Sequence, residues 1–393
     1  MLEGVKILSF THYLQGPSAV QTLADLGADV VKIEACKGAY ERNWSGCNTY
    51  KNGMSMFYML AGRNQRDMAL DLKTKEGREI IYRLVKSYDV VIENFRPGVM
   101  DRLGLGYEKL KEVNPKIIFC SCTGYGSDGP KVKKPGQDLL VQSMSGLVNL
   151  TGNGAVSPSP AGTSIVDQHG AILAALGVLA ALYDREKTGR GHKVDASLMA
   201  AALDLQIEAI SYYLNGAEFT ERPKTGLCTR FHGSPYGVYQ TKDSYITLGV
   251  TSYENLEKIF TPGCIKSFTP EEQMTRRLEF DQVVCDEIKK KTTAEWIEIF
   301  DKLGIWYSPV NTYDEVFEDE QVIYNQCVMT MNHPVAGEVR VLNHPNHYDG
   351  KPAPLRRLPP LLGQHTKEVL AEAGYSETEI EKLHENHIVV SAD

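Results

Sequence analysis

Residues 5–34 alternate between strand and helix in the order of a βαβ unit. Val5 to Phe10 is a short apolar run after Gly4, which is typical of a buried strand. An amphipathic segment from Ser18 to Leu26 follows a Gly-Pro turn, and Asp29 to Glu34 predicts a second strand. Two strands joined through a helix over so short a distance are parallel and have a right-handed crossover. The chain is therefore expected to begin with a parallel α/β sheet.

The same alternation continues further along the chain. The pattern predicts a helix from Thr74 to Ser87, a strand from Asp89 to Glu93 and another from Ile117 to Ser121. Open sheets of this kind bind ligands beyond the carboxyl ends of their strands. The turn after the first strand, His12 to Pro17, lacks the G-x-G-x-x-G pattern of dinucleotide-binding proteins. This absence argues against a nicotinamide dehydrogenase.

The second half of the sequence predicts a smaller α+β region. A polar stretch with Pro and Gly at residues 216–232 precedes a strand pair, Tyr236 to Gln240 and Tyr245 to Val250. Helical patterns follow at residues 253–260, 270–291 and 293–303. We therefore expect a small α+β domain at residues 225–325. The tail adds a predicted hairpin near residues 334–344 and a final helix at residues 366–373.

Composition limits the functional classes. The formal net charge of −8 argues against a general nucleic-acid binder, which needs a basic face. The eight cysteines lack zinc-type pairs and are interpreted as reduced thiols, and the scattered histidines fit no metal site. The first residues, MLEGVKILSF, contain no basic n-region and no cleavage site, so we expect no leader peptide. The longest apolar run, near Ala171 to Tyr183, is predicted to be too short for a membrane span. We expect a cytoplasmic protein with no membrane partner.

Asp167 is the most conspicuous candidate for chemistry. A turn rich in Pro, Ser and Gly precedes it, and no further Asp, Glu, Lys or Arg occurs until Asp184. One interpretation is structural, because Asp is a favoured N-cap residue and a helix is predicted just beyond it. The other is a carboxylate nucleophile, which suits acyl transfer because it can form an anhydride or a thioester. The position of Asp167 alone leaves both interpretations open.

A Gly-rich loop from Gly124 to Pro130 follows a predicted strand and leads into a basic patch. The patch contains Lys131, Lys133 and Lys134. It is either a solvated loop or an electropositive edge that meets phosphates.

Seven blocks of sequence, spread over nearly the whole chain, carry a family resemblance. They are LADLGADVVKIE (23–34), ENFRPGVMDRLGLGYE (93–108), NPKIIFCSCTGYGSDGP (114–130), PGQDLLVQSMSGLVNLTG (135–152), the Asp167 segment, REKTGRGHKVDASL (185–198) and LLGQHTKEVL (361–370). In these blocks the chain resembles the class III CoA-transferases, the CaiB/BaiF-type group of formyl-CoA transferase and carnitine CoA-transferase. So many ordered blocks are more specific than any one motif.

The resemblance implies which residues carry the function. The family's catalytic carboxylate falls on Asp167. Its CoA-contacting positions fall on Leu14, Gln15, Leu70, Asp71, Leu72, Lys73, Asn94, Phe95, Arg96, Arg102, Pro135, Gly136, Gln137 and Asp138. Lys73 and Arg102 can meet phosphates, and the Asn94-Phe95 loop can hold the adenine. Coenzyme A is implied as a substrate, with no separate cofactor and no metal.

Two departures from the formyl-CoA transferase pattern concern the substrates. A tetraglycine loop of that enzyme corresponds here to residues 230–236, which contain one glycine, so the resemblance implies a differently lined acid pocket. Its candidate substrate residues are His232, Gly233 and Ser234. A basic CoA-contacting position falls on Ala35, and the neighbouring Lys37 is a candidate to replace it.

The same superfamily includes α-methylacyl-CoA racemases, which use an Asp and a His as acid and base. The Asp would again be Asp167, but the position expected for the His carries Gln137. A glutamine cannot exchange a proton at neutral pH, which argues against racemisation.

The resemblance further implies a fold, an assembly and a mechanism. The implied fold is α/β: a large Rossmann-like domain from both chain ends (1–200 and 330–393), the small α+β domain (225–325), and linkers at 200–225 and 325–360. The implied assembly is an interlocked homodimer. The implied reaction moves CoA from an acyl-CoA to a free carboxylic acid through an aspartyl anhydride and an aspartyl-CoA thioester on Asp167. The backbone at residues 168–170 and the Gly233 region are expected to hold the oxyanions.

Overall fold

The computed structural model describes residues 1–219 and 221–392. Its strands are β1 (Lys6–Phe10), β2 (Asp29–Glu34), β3 (Tyr50–Lys51), β4 (Met54–Ser55), β5 (Gln65–Leu70), β6 (Val90–Glu93), β7 (Ile118–Thr123), β8 (Lys193–Ser197), β9 (Gly237–Gln240), β10 (Tyr245–Leu248), β11 (Tyr307–Pro309), β12 (Val328–His333), β13 (Gly337–Leu342), β14 (His347–Tyr348), β15 (Lys351–Pro352) and β16 (Val389–Val390).

The helices alternate with the strands through much of the chain. They are α1 (Gln15–Asp25), α2 (Met56–Met59), α3 (Lys75–Val85), α4 (Val99–Arg102), α5 (Tyr107–Val113), α6 (Asp138–Met144), α7 (Leu147–Leu150), α8 (Ile165–Thr188), α9 (Leu198–Asp204), α10 (Ile207–Leu214), α11 (Tyr253–Ile259), α12 (Glu272–Thr275), α13 (Arg277–Ile288), α14 (Thr293–Leu303), α15 (Tyr313–Glu318), α16 (Glu320–Tyr324), α17 (Thr366–Glu372) and α18 (Glu377–Glu385). Short 3₁₀ turns occupy Tyr40–Arg42 and Gly46–Asn48.

A seven-stranded sheet in the order β16-β5-β2-β1-β6-β7-β8 forms the centre of the first compact unit. All neighbouring strands pair in parallel except β16, which runs antiparallel to β5. Side chains alternate between the two faces, so that Ile7 packs with α1 and α8 whereas Leu8 packs with α3, α5, α17 and α18. The predicted parallel α/β sheet is confirmed.

The chain divides into two compact units. The first contains residues 1–141, 164–205 and 320–393, and the second contains residues 142–163 and 206–319. Both chain ends contribute to the first unit, but its limits differ from the expected domain boundaries, which stay a prediction. Thr220, in the predicted 200–225 linker, and Asp393, in the predicted large domain, lie outside the described residues.

Strand β5 was not predicted, because charged side chains interrupt its hydrophobic pattern. Its six residues are all buried. Arg66 is 1% exposed and forms ion pairs with Asp29, Glu368 and Glu372. Partners distant in sequence neutralise such charges, so a local pattern cannot reveal that the strand is buried.

Helix α8 begins before Asp167 and is longer than the predicted apolar run. It covers 24 residues and ends at Gly189, whose φ of 69° is the left-handed conformation that terminates helices. Within residues 1–219 and 221–392 it is the one helix long and apolar enough to cross a membrane. The expectation that this segment is too short for a span is therefore wrong. Ala174, Val178 and Ala181 are nevertheless buried against the sheet, as in a core helix.

The second unit contains a three-stranded antiparallel sheet in the order β11-β10-β9. Its core is aromatic, with Trp296, Phe280 and Phe300 almost completely buried. The bounds predicted for α14 are confirmed, whereas the single helix predicted at residues 270–291 is divided into α12 and α13. The helix at residues 366–373 is not the last, because α18 follows it.

Candidate active site

The loops after β1 and β6 meet at the carboxyl edge of the large sheet. The chain runs from β1 to β2 on one side and returns to β6 on the other, which makes this edge a topological switch point. The His12 backbone N–H donates to Asn94 Oδ1 over 2.8 Å, and Asn94 Nδ2 donates to the His12 carbonyl over 2.7 Å. This reciprocal pair fixes the two loops against each other.

The predicted CoA-contacting segments from different parts of the chain lie at this same edge. Leu14 and Gln15 follow β1. Residues 70–73 contain the last residue of β5 and the three residues after it, and residues 94–96 follow β6. The side chains of Lys73, Arg96 and Arg102 are exposed and can meet a negatively charged ligand. Whether these residues bind CoA stays a prediction.

A contact between two glycines brings residues 135–138 to the strand ends. Gly124 directly follows β7, and a Cβ added to it would lie 2.5 Å from the Cα of Gly136. No side chain fits at either position, so the two backbones can approach this closely only as glycines. Pro135, Gly136 and Gln137 are exposed, whereas Asp138 is buried as the first residue of α6.

The first turn of α8 is held by the carboxylate of Asp138. One oxygen, Oδ1, accepts hydrogen bonds from the backbone N–H groups of Val166 and Asp167, over 2.8 and 3.0 Å. Ser164 is the N-cap residue, and its side chain makes no capping bond. Asp167 is the third helical residue, so the interpretation of Asp167 as the N-cap is wrong. Asp138 supplies the cap from outside the helix.

The Asp167 carboxyl group has a raised pKa. Burial, together with the negative charge of Asp138, raises the pKa of Asp167 to about 7. At neutral pH a substantial fraction of Asp167 is therefore ionised and partly stripped of water, which suits a nucleophile. This is the pattern expected of a reacting carboxylate.

The backbone of α8 cannot provide the expected oxyanion site. The N–H of Gln168 donates to the carbonyl of Ser164, and those of His169 and Gly170 are used inside the helix. The expectation for residues 168–170 is therefore wrong. The expectation requires a helix that starts after Asp167, but α8 starts at Ile165, so these N–H groups are not free.

The sequence patterns do not predict the buried charge network that lies beside the switch point. Lys32 Nζ lies 2.7 Å from Glu41 Oε1, and His12 Nδ1 lies 3.6 Å from Glu41 Oε2. Burial opposes the ionisation of Glu41, but His12 and Lys32 outweigh it and hold its pKa at about 2. The ring of His12 also lies 5.3 Å from that of Phe95. Through His12 the network thus contacts a predicted CoA-contacting loop.

Arg42 contacts two further carboxyl groups of this network. Its guanidinium donates to both oxygens of Glu34 over 2.8 and 2.9 Å and approaches Asp67 to 3.2 Å. Tyr58 Oη accepts a further bond of 2.8 Å from Arg42. Burial raises the pKa of Glu34, but Lys32 and Arg42 counter this and lower it to about 2. These charges fix the segment after β2.

Glu93, at the end of β6, is a second carboxyl group with a raised pKa. Burial raises its pKa to about 7, although Ser121 and the backbone N–H of Phe95 act against the rise. The Phe95 N–H donates to Glu93 Oε2 over 2.9 Å. Glu93 therefore orients the loop that is predicted to hold the adenine.

The predicted substrate residues belong to the second unit. Arg277 donates to the carbonyls of Thr229 and His232, both over 2.6 Å, and so shapes their loop. Ser234 is buried and its hydroxyl donates to Asp281 over 2.6 Å. Gly233 is half-buried. The role of His232, Gly233 and Ser234 toward a substrate stays a prediction.

Comparison with known proteins gives consistent results. The family model described as CoA-transferase family III matches residues 2–366. A succinyl-CoA:glutarate CoA-transferase of Mus musculus is 34% identical, with 97% of this chain and 88% of that protein covered. A formyl-CoA:oxalate CoA-transferase of Streptomyces avermitilis is 31% identical, with 99% of each covered. The crystal structure of a CAIB/BAIF family protein from Brucella suis aligns with a TM-score of 0.81 at 28% identity and covers 95% of this chain and 99% of that one.

Proposed function

Because the chain belongs to CoA-transferase family III and is a CoA-transferase, we propose that it carries CoA from an acyl-CoA donor to a free carboxylic acid through covalent intermediates on Asp167. The observation that carries this proposal is the environment of Asp167, a partly desolvated carboxyl group at the start of α8 with a pKa near 7. Helix α8 leads into β8, which is parallel to β7, so its start lies at the carboxyl edge of the sheet. This is the edge where the predicted CoA-contacting loops lie.

The proposed reaction proceeds in balanced steps. A carboxylate oxygen of Asp167 attacks the thioester carbon, and collapse of the tetrahedral oxyanion breaks the C–S bond to give a mixed anhydride and CoA thiolate. The thiolate then attacks the Asp167 side-chain carbon, and the C–O bond breaks to release the donor acid. This leaves an aspartyl-CoA thioester. The acceptor carboxylate repeats the two steps in reverse and departs as its CoA thioester.

We propose that CoA lies along the carboxyl edge of the sheet. The exposed cations Lys73, Arg96 and Arg102 support phosphate binding there, since each can pair with a phosphate oxygen. The reaction requires no cofactor, because every step exchanges one acyl bond for another. Activity is therefore expected to survive dialysis against a metal chelator.

The names of the relatives suggest where a substrate search starts. Those proteins are named for succinyl-CoA with glutarate and for formyl-CoA with oxalate. We propose that this enzyme uses short-chain acids of this class. Racemisation is not favoured, because Gln137 offers an amide where a titratable side chain is needed.

We also propose that the enzyme is a cytoplasmic homodimer with interlocked chains. Ile172, Leu176 and Tyr183 form an exposed apolar stripe on α8, with 48%, 58% and 68% of their surfaces accessible. A stripe of this kind favours burial against a second copy of the chain. The eight cysteines are all free, which supports a reducing compartment.

A transfer assay tests the proposed function. The wild-type enzyme is incubated with succinyl-CoA and a panel of short carboxylic acids, and new acyl-CoA species are measured by mass spectrometry. We expect transfer to at least one acid and none with Asp167→Ala. Full transfer by Asp167→Ala would reject the mechanism, and deuterium exchange at an α-carbon without an acceptor acid would favour the racemase.

A further inference from the structure

The amide group of Gln15 is a buried hydrogen-bond donor without a partner. Gln15 is the first residue of α1 and only 5% exposed. In the described part of the chain, its Nε2 makes no hydrogen bond, although it has almost no access to solvent. A buried donor left unsatisfied destabilises the folded protein, so the group calls for an explanation.

This donor lies directly against the turn that carries Asp167. A Cβ added to Gly170 would lie 2.8 Å from Gln15 Nε2 and 3.4 Å from its Cδ. Gly170 is three residues after Asp167, and residues spaced by three share a helix face. A Cβ also leans toward the helix N-terminus, so this position lies over the turn that contains Asp167.

The absence of a side chain at Gly170 makes room for the amide. Alanine at this position would overlap Nε2, since 2.8 Å is shorter than real Cβ contacts. The start of α1 also meets α8 one residue from Asp167, where Gln168 Nε2 donates to Ser18 Oγ over 3.3 Å. The packing of the two helices therefore holds the Gln15 amide against the helix turn that carries Asp167.

The proposed reaction needs a donor at this point, and the backbone of α8 offers none. When CoA thiolate attacks the Asp167 side-chain carbon, a negative charge develops on the aspartyl oxygen. The backbone N–H groups of α8 are already used, by Asp138 for Val166 and Asp167 and by the helix thereafter. A donor that is unpaired in the resting enzyme and gains its partner in the transition state contributes directly to the rate.

We propose that Gln15 is a catalytic residue whose side-chain amide donates a hydrogen bond to the oxyanion formed on Asp167. This role rests on the proposed function. The amide transfers no proton, and it releases the oxygen when the tetrahedral intermediate collapses. This hydrogen bond differs from a contact that binds CoA equally well throughout the reaction, because it strengthens only as negative charge develops on the aspartyl oxygen.

Steady-state kinetics of Gln15→Leu test the role. Removing an oxyanion donor lowers kcat by about 10²–10³-fold. We expect a loss of that size with KM for acyl-CoA changed by no more than about 2-fold, the pattern of a transition-state interaction. Gln15→Glu preserves the size and polarity of the side chain but cannot donate a hydrogen bond when ionised, so we expect a similar loss of kcat. If Gln15→Leu does not fold, the kcat of Gln15→Glu tests the role of the amide instead.

Gly170→Ala provides an independent variant that leaves Gln15 in place. The added methyl group should displace the amide and lower kcat in the same direction. Gly177→Ala is the matched control in the same helix, because its Cβ would meet a methyl group of Val194 at 2.7 Å. We expect near wild-type turnover from the control, with thermal unfolding measured for all four variants.

Two results would overturn the role of Gln15 while the proposed function stands. One is Gln15→Leu with wild-type kcat and a covalent adduct on Asp167. The other is a higher KM with unchanged kcat, which would make Gln15 a CoA-binding group only. Failure of the proposed function is distinguishable, since the wild-type enzyme would then form no adduct on Asp167.

Discussion

The carboxylate of Asp138 accepts a hydrogen bond of 3.0 Å from the backbone N–H of Asp167, so two acidic residues are joined at the start of one helix. The bond fixes the helix turn that carries Asp167. The charge of Asp138 also adds to the effect of burial in raising the pKa of Asp167. One residue thus positions the proposed nucleophile and adjusts its ionisation.

Activity should depend on the ionisation of Asp167. Only the carboxylate attacks a thioester, and the pKa of Asp167 is about 7. We expect kcat/KM to rise tenfold per pH unit below about pH 7 and to level off above it, as measured in initial-rate assays. A profile that is flat from pH 5 to 8 would contradict the raised pKa.

Asp138→Asn separates the charge of Asp138 from its capping role. The asparagine oxygen can still accept the two backbone bonds, but the negative charge is lost. We expect the pKa seen in kcat/KM to move below that of the wild type, because one of its two causes is removed. Asp138→Leu is the comparison variant, since it also removes the cap and should cost about 1 kcal/mol of unfolding free energy. An unchanged pKa in Asp138→Asn would show that the charge has no influence.

Asp167→Asn should stabilise the enzyme, and more so at higher pH. The folded pKa of about 7 exceeds the usual value near 3.9, so the folded state binds the proton more tightly than the unfolded state. Ionisation of Asp167 therefore reduces stability as pH rises between these values, and the cost is largest above pH 7. Thermal unfolding should show a gain of about 5 °C at pH 8 and little gain at pH 4. An equal gain at both pH values would contradict this account.

The sequence predicts the parts of the fold that are locally encoded. Strands β1, β6 and β7 are mostly apolar, β2 is predicted from its β-branched residues despite its charges, and the α8 terminus at Gly189 follows from the conformational freedom of glycine. Strand β5 was missed because the charge of Arg66 is neutralised by residues as distant as Glu372. The local hydrophobic pattern contains no information about such distant partners, so it cannot predict that a charged residue is buried.

In the candidate site, too, the sequence predicts the locally encoded features but not those that depend on residues distant in sequence. Asp167 stands out in the sequence because it is an isolated acid before an apolar helix, and the family resemblance assigns it a role. The capping role of Asp138 could not be predicted, because it acts on a helix 28 residues away. The unpaired amide of Gln15 depends on the packing of α1 against α8, which no short motif encodes.

Arg42→Met should be strongly destabilising. The variant leaves Glu34 and Asp67 buried without their common cation. Breaking a buried ion pair from one side costs about 3–5 kcal/mol. Arg276→Met is the matched control, because Arg276 pairs with Glu272 and Glu279 near the surface, where such pairs contribute about 0–1 kcal/mol. Chemical denaturation measures both, and equal losses would contradict the importance of the network.

The apolar stripe on α8 should control assembly. We expect a dimeric mass for the wild type by light scattering and a monomeric or unstable product for Leu176→Glu, because a charge cannot be buried in an apolar interface without a partner. Val250→Glu is the control, since Val250 is 68% exposed and lies outside α8. A wild-type monomer, a dimeric Leu176→Glu or a need for detergent would contradict the proposed interface.

Detection of a covalent adduct on Asp167 tests directly whether CoA transfer passes through this side chain. The enzyme is mixed with acyl-CoA, reduced with borohydride, digested and analysed by mass spectrometry. We expect the Asp167 side chain to be reduced to an alcohol only when acyl-CoA is present, since a thioester is reduced whereas a carboxylate is not. Efficient CoA transfer with Asp167 unmodified at every time point would contradict it.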